Sequence, residues 1–140
     1  EIVNSTDDIA QSCNLIITAT PSKIALLKLD KIKPGTHITA MGSDSIGKQE
    51  LAPEILDRAD LVIADSKSQC IERGEIAHAL KNKLISIDDV IELGEVINSN
   101  KDFRCRNNQI TVADLTGVAV QDIQIAKAVY KAYEELKNEI

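Results

Sequence analysis

Gly42 to Gln49 reads GSDSIGKQ, which sets two glycines, an aspartate and a lysine within one short run. Two kinds of chemistry use those residue types. In the loop G-x-x-x-x-G-K-[ST], backbone N–H groups cradle a phosphate, the lysine reaches the outer phosphates and the hydroxyl holds Mg²⁺. Here Gln49 stands where the hydroxyl is needed, and Asp44 lies inside the cradle. Two unit charges ~4 Å apart repel by about 4 kcal/mol at an effective dielectric of 20, so an ionised aspartate there opposes a triphosphate. The second chemistry makes Asp44 itself the reactive group, a carboxylate just beyond a strand that exchanges protons with a ligand. A polar turn between strand and helix, with Gly42 and Gly47 supplying backbone freedom, is the bland reading of the same residues.

Which reading holds depends on the elements that carry the loop. Leu15 to Thr20 (LIITAT), His37 to Gly42 (HITAMG) and Leu61 to Asp65 (LVIAD) are short apolar runs ending in small or turn-forming residues, as parallel strands do. ISI at 85–87 and ITVADL at 110–115 extend the series, and EIV at the start reads as another strand. Ser5-Thr6-Asp7-Asp8 supplies cap and first-turn residues for one helix, and Pro53 opens a second. From about 118 to 138 a broad apolar stripe, including Val120, Ile123, Val129, Tyr130, Tyr133 and Leu136, predicts a long C-terminal helix that docks on something apolar. Alternating strands and helices predict an α/β fold with a doubly wound, mainly parallel sheet. Ligands of such sheets lie beyond the carboxyl ends of the strands, which puts Asp44 on the binding edge.

The bulk numbers narrow the partners. With 140 residues, 44% hydrophobic and 27% charged, the chain reads as one ordinary globular domain. Its formal charge is −6, no basic run appears, and Phe103, Tyr130 and Tyr133 are the only aromatics, so nucleic acid is not expected as a partner. No apolar run approaches the ~20 residues that cross a bilayer, and no membrane role is expected. Cys13, Cys70 and Cys105 form no C-x-x-C and read as reduced thiols of a cytoplasmic protein. His37 falls in a strand pattern and His78 in a helix, both expected to be structural, and no metal-ligand cluster is visible. The dinucleotide fingerprint G-x-G-x-x-G is absent. The chain opens without methionine in the middle of a strand-like run, which is expected of a piece of a longer protein.

Three blocks then agree: LIITATPSK (15–23), IKPGTHITAMGSDSIGKQELAPEILDRADLVIADS (32–66), and ELGEVI (92–97) with ITVADLTGVAVQDIQIAKAVY (110–130). Together they resemble the carboxyl-terminal part of the ornithine cyclodeaminase/μ-crystallin family, which also contains alanine dehydrogenases and ketimine reductases. The resemblance implies that residues 1–140 are the C-terminal portion of an NAD(H)-binding Rossmann domain. The first strands, the glycine-rich loop and the substrate-binding region would be absent, so the piece alone is expected to be inactive. By the same resemblance Thr18 lies along the cofactor, Met41, Gly42 and Ser43 pass beneath the nicotinamide, Lys48 is a further cofactor contact and Asp44 is the catalytic aspartate. The family usually has serine where Leu115 stands in DLTGVA. That cofactor contact is either lost at Leu115 or passed to Thr116, which is placed toward the substrate.

The implied reaction is ornithine cyclodeamination to proline and ammonia through hydride transfer to and from NAD, with alanine dehydrogenase or ketimine reductase as alternatives. A non-catalytic, NAD(P)H-binding crystallin-like protein is the alternative of another class. The partners implied are a small amino-acid substrate and, in the full-length protein, a second copy in a homodimer.

Overall fold

The cap residues and apolar runs organise the chain much as their pattern requires. The computed structural model describes residues 2–138. In chain order it contains α1 (Thr6–Ser12), β1 (Leu15–Thr18), β2 (Lys23–Leu27), β3 (His37–Ala40), β4 (Gln49–Leu51), α2 (Glu54–Arg58), β5 (Leu61–Ala64), α3 (Lys67–Cys70), α4 (Glu75–Lys81), β6 (Val90–Glu92), α5 (Leu93–Asn98), β7 (Thr111–Asp114) and α6 (Ala119–Asn138). Ser5 caps α1 by accepting from the Asp7 N–H, and Pro53 stands at the start of α2, where its missing N–H costs nothing.

β1, β3, β7, β5 and β6 form, in that order, a five-stranded, all-parallel sheet. Its register sets Ile16, Ile38, Val112, Val62 and Val90 in one row across the sheet, all buried, and this row is the spine of the core. Ile55, Leu56, Ile76 and Ala79 pack with it from α2 and α4. The opposite face is only partly covered: on β1, at the edge of the sheet, Leu15 and Ile17 are 64% and 62% exposed. The architecture is Rossmann-like α/β, as the alternation of elements predicts.

One further row matters for function. Thr18, Ala40, Asp114, Ala64 and Glu92 stand side by side at the carboxyl ends of the five strands. The loops that follow them therefore leave the sheet at one level.

Two expected strands are absent, and one pairing was not expected. Residues 85–87 form no strand; Ser86 and Asp89 close a capping box around the 3₁₀ turn Ile87–Asp89, and the strand starts at Val90. Side-chain caps of this kind compete with ladder pairing. At the start, Ile2 and Val3 belong to no strand, and Glu1 lies outside the described residues. β2 and β4 pair as a separate two-stranded parallel sheet that the apolar pattern did not reveal, because β4 has only three residues.

The long helix α6 forms, but its stripe is open: Ile123, Tyr130, Tyr133 and Leu136 are 51–65% exposed. None of the described helices is long and apolar enough to cross a membrane. The irregular segment before β7 is tied down by Arg104, which donates to the Gly35 carbonyl (2.7 Å), and by Gln109, whose side-chain oxygen accepts from the Cys105 and Arg106 N–H groups.

Candidate active site

The loop after β3 carries Asp44 four residues beyond Ala40, out from the end of the strand. Its carboxylate is half exposed and pairs with Lys48 Nζ at 2.7 Å. The hydrogen bond from Lys48, reinforced by Ser45, holds the Asp44 carboxyl below the usual carboxylate range, so it is ionised at neutral pH. The loop is closed beneath this pair. Ser43 is buried and donates through Oγ to the Lys48 carbonyl (2.7 Å), which also accepts from His78 Nε2 (2.8 Å).

The two glycines of the loop have different reasons to be there. Gly47 adopts φ +84°, a conformation that side chains resist, in open space. Gly42 is held by proximity instead: a Cβ there would meet the Thr20 carbonyl oxygen at 2.2 Å and a Glu50 carboxylate oxygen at 2.5 Å. Gly42→Ala is accordingly expected to destabilise by roughly 2–4 kcal/mol, through overpacking of a filled site. Gly47→Ala should cost only about 1 kcal/mol, for backbone strain. Urea denaturation of both variants checks this, and equal midpoints would refute the distinction.

The neighbouring loops bring further residues to the same edge. Thr18 is buried, and its hydroxyl donates to Glu50 at 2.7 Å. Met41 is half exposed, and its N–H donates to the Thr18 carbonyl (2.8 Å). Leu115 donates its N–H to the Ala40 carbonyl (2.8 Å), fixing the start of the last loop. Thr116 is buried and donates its hydroxyl to Asp65 (3.1 Å), which also accepts from the Gly117 N–H (2.8 Å). Thr18, Met41, Gly42, Ser43, Asp44 and Lys48 are thus gathered on two adjacent strand ends, with Leu115 and Thr116 on the next. The Thr18, Ser43 and Thr116 hydroxyl hydrogens are all directed into the protein.

Sequence reasoning missed the carboxylates beneath these loops. Glu50 is fully buried and accepts from Thr18 Oγ1, the Thr20 N–H (2.6 Å) and the Gly42 N–H (2.8 Å). Glu75, also buried, accepts from the N–H groups of Glu50 (2.7 Å) and Leu51 (3.0 Å). Burial pushes the Glu75 carboxyl up, against the pull of those N–H groups. Asp114 accepts from the Ile76 N–H (2.8 Å), and burial, with Glu75 and Asp65 nearby, pushes its carboxyl up to about 8. The only trace of them is that Glu50, Asp65 and Asp114 fall within or directly after apolar strand runs, in QEL, LVIAD and TVAD, and nothing comparable marks Glu75.

The two histidines are hydrogen bonded within the fold, His37 to Thr111 and Thr39 and His78 to the Lys48 carbonyl. Among the described residues no group of His, Cys, Asp and Glu is placed to hold a metal ion.

Comparison with known proteins decides the relationship. The family model for the ornithine cyclodeaminase/mu-crystallin family matches residues 1–137. The chain belongs to that family. Within it, the chain is 42% identical over 123 residues to an alanine dehydrogenase of Archaeoglobus fulgidus, covering 87% of this chain and 38% of that protein. It is 41% identical over 137 residues to the uncharacterized cyclodeaminase y4tK of Sinorhizobium fredii, covering 95% of this chain and 41% of that protein. An archaeal alanine dehydrogenase dimer with bound NAD superposes with a TM-score of 0.87 at 37% identity, over 99% of this chain and 42% of that one. The chain therefore spans about two fifths of the length of these family members.

Proposed function

We propose that residues 1–140 are the C-terminal portion of the NAD(H)-binding domain of an enzyme that moves hydride at the α-carbon of an amino acid, with Asp44 as its catalytic carboxylate. The observation that carries this reading is the position of Asp44: ionised, half exposed, beyond the carboxyl end of a central strand. Its side-chain partners, Lys48 and Ser45, lie within the same exposed loop, so the fold has no evident need of a carboxylate there. That disfavours a purely binding, crystallin-like role.

The residues present fit one end of the cofactor. Met41, half exposed after β3, offers an apolar surface suited to the nicotinamide ring, with Gly42 and Ser43 continuing the backbone beneath it and Lys48 available to polar groups. Thr18 and Leu115 flank this surface on the neighbouring strand ends, and we assign Thr116, which follows Leu115, to the substrate side. No G-x-G-x-x-G is present for the pyrophosphate, which the longer protein must supply. When bound, NAD(H) would accept or return the hydride. Asp44 takes a proton from the substrate's α-ammonium, freeing the nitrogen lone pair; once that proton has passed from the exposed carboxyl to solvent, the restored carboxylate charge stabilises the iminium that follows.

For the overall reaction we favour ornithine cyclodeamination. After hydride leaves the α-carbon, the side-chain amine attacks the iminium carbon, ammonia departs, and hydride returns to give proline. A second reading, alanine dehydrogenation, is supported by the 42% identity to the archaeal enzyme. The products discriminate them. Ornithine with NAD⁺ is expected to give proline and ammonia without net NADH; pyruvate with stoichiometric NADH from alanine would establish the second reading instead. The dimeric archaeal relative supports a homodimeric parent. The unpaired thiols of Cys13, Cys70 and Cys105 suit a cytoplasmic setting.

A further inference from the structure

We propose that Glu50 is a positioning residue: its buried carboxylate fastens the turn after β1 to the turn after β3 and thereby fixes Asp44 relative to Thr18. The inference rests on the functional reading above. Glu50 comes from β4, outside the five-stranded sheet, yet it reaches two of that sheet's strand ends. One oxygen accepts from the Thr20 N–H (2.6 Å), and the other from the Thr18 hydroxyl (2.7 Å) and the Gly42 N–H (2.8 Å). Every contact brings a hydrogen to it, which only an acceptor with two free oxygens can satisfy.

Its own place is set from behind. The Glu50 and Leu51 N–H groups donate to Glu75 on α4, so β4 cannot drift outward without breaking both bonds. The absence of a side chain at Gly42 lets the loop approach this carboxylate. Two residues later stands Asp44, and the intervening Ser43 locks onto the Lys48 carbonyl. A buried carboxylate is costly to desolvate, and an apolar side chain would fill a core more simply. What Glu50 adds is the relative position of two ligand-facing turns. It also commits the Thr18 hydrogen, leaving that hydroxyl only acceptor lone pairs for a ligand.

Glu50→Gln keeps the shape but turns an NH₂ toward at least one of the three donors. In the full-length enzyme kcat is expected to fall tenfold or more, while the NADH Kd, read by nicotinamide fluorescence, changes by less than about threefold. In a double-mutant cycle, adding Glu50→Gln to Asp44→Asn should produce no further loss, because the first acts through the second. Unchanged kcat, multiplicative losses, or collapse of NADH binding together with kcat would each overturn the proposal. If Glu50→Gln does not fold, Thr18→Val removes one donor at constant shape and enters the same cycle, with a smaller loss expected.

Amide hydrogen exchange supplies a readout that needs no turnover. Exchange at Thr20 and Gly42 should accelerate in Glu50→Gln, or in Thr18→Val where that variant is used, and wild-type protection would equally overturn the role. Full activity of Asp44→Asn would instead sink the functional reading. A normal Glu50→Gln beside an inactive Asp44→Asn would sink only this inference.

Discussion

Asp44→Asn in the longer enzyme is expected to reduce turnover by roughly a hundredfold or more, the scale of a lost acid–base group, while NAD(H) affinity stays within several-fold. The asparagine amide is the same size and can still accept from Lys48 through its oxygen, so the loop should keep its shape. What disappears is the charge. In the structure that charge is held by the Lys48 hydrogen bond, which keeps the Asp44 carboxyl below its usual range and therefore ionised. Steady-state turnover and NADH titration on the same preparation separate the two effects. Unchanged turnover would remove Asp44 from the chemistry, and parallel loss of turnover and cofactor binding would make it a binding residue. On the proposed function, a substrate ammonium approaching Asp44 would compete with the Lys48 ammonium, which would have to turn outward.

The sequence disclosed the parts of this site whose physics is local. LIITAT, HITAMG, LVIAD and ITVADL each contain the strand that their apolar character predicts, and a turn after a strand in a parallel sheet must lie at its carboxyl edge. Asp44 could be placed there without coordinates. ISI misled because three apolar-rich residues cannot outweigh a following Ser-Ile-Asp-Asp that caps its own turn. β2 and β4 stayed hidden because their partners are each other, through a pairing 26 residues apart at Lys23 and Gln49 that no short window records.

The buried acids stayed hidden for a different reason. Glu50 looks like one more charged residue in GKQEL; only the convergence of Thr18, Thr20 and Gly42 from two other loops makes a buried carboxylate tolerable there. Asp65 serves in the same way for the loop after β7, accepting from Thr116 and Gly117. Asp114 reaches across to the first turn of α4 through the Ile76 N–H. The strand-end loops are therefore joined by carboxylates that receive N–H and O–H groups. This is a long-range property, and the strand and helix periods say nothing of it.

Asp114 yields the largest expected effect on stability. Its carboxyl is raised from an ordinary 3.8 to about 8 by burial, with Glu75 and Asp65 adding repulsion. The unfolded chain releases this proton near pH 4, whereas the folded chain holds it until about pH 8. Between those limits this group binds more protons in the native state, so its contribution to stability is greatest below about pH 4 and declines as pH rises toward 8. The full span corresponds to on the order of 5 kcal/mol, an upper figure for one group. The Cys70 thiol, raised to about 12 by burial, with Asp114 and Asp65 adding to it, stays protonated throughout and adds no slope there. Glu75, raised in the same direction, does add one. Asp114→Asn keeps an oxygen for the Ile76 N–H but cannot ionise. Its stability should match the wild type within about 1 kcal/mol near pH 4 and exceed it near pH 8 by several kcal/mol, with the residual decline due to Glu75. Thermal unfolding of both proteins across this range is the test. Parallel curves would mean that Asp114 is ionised in the native state, and its charge would then need a partner that the fold does not display.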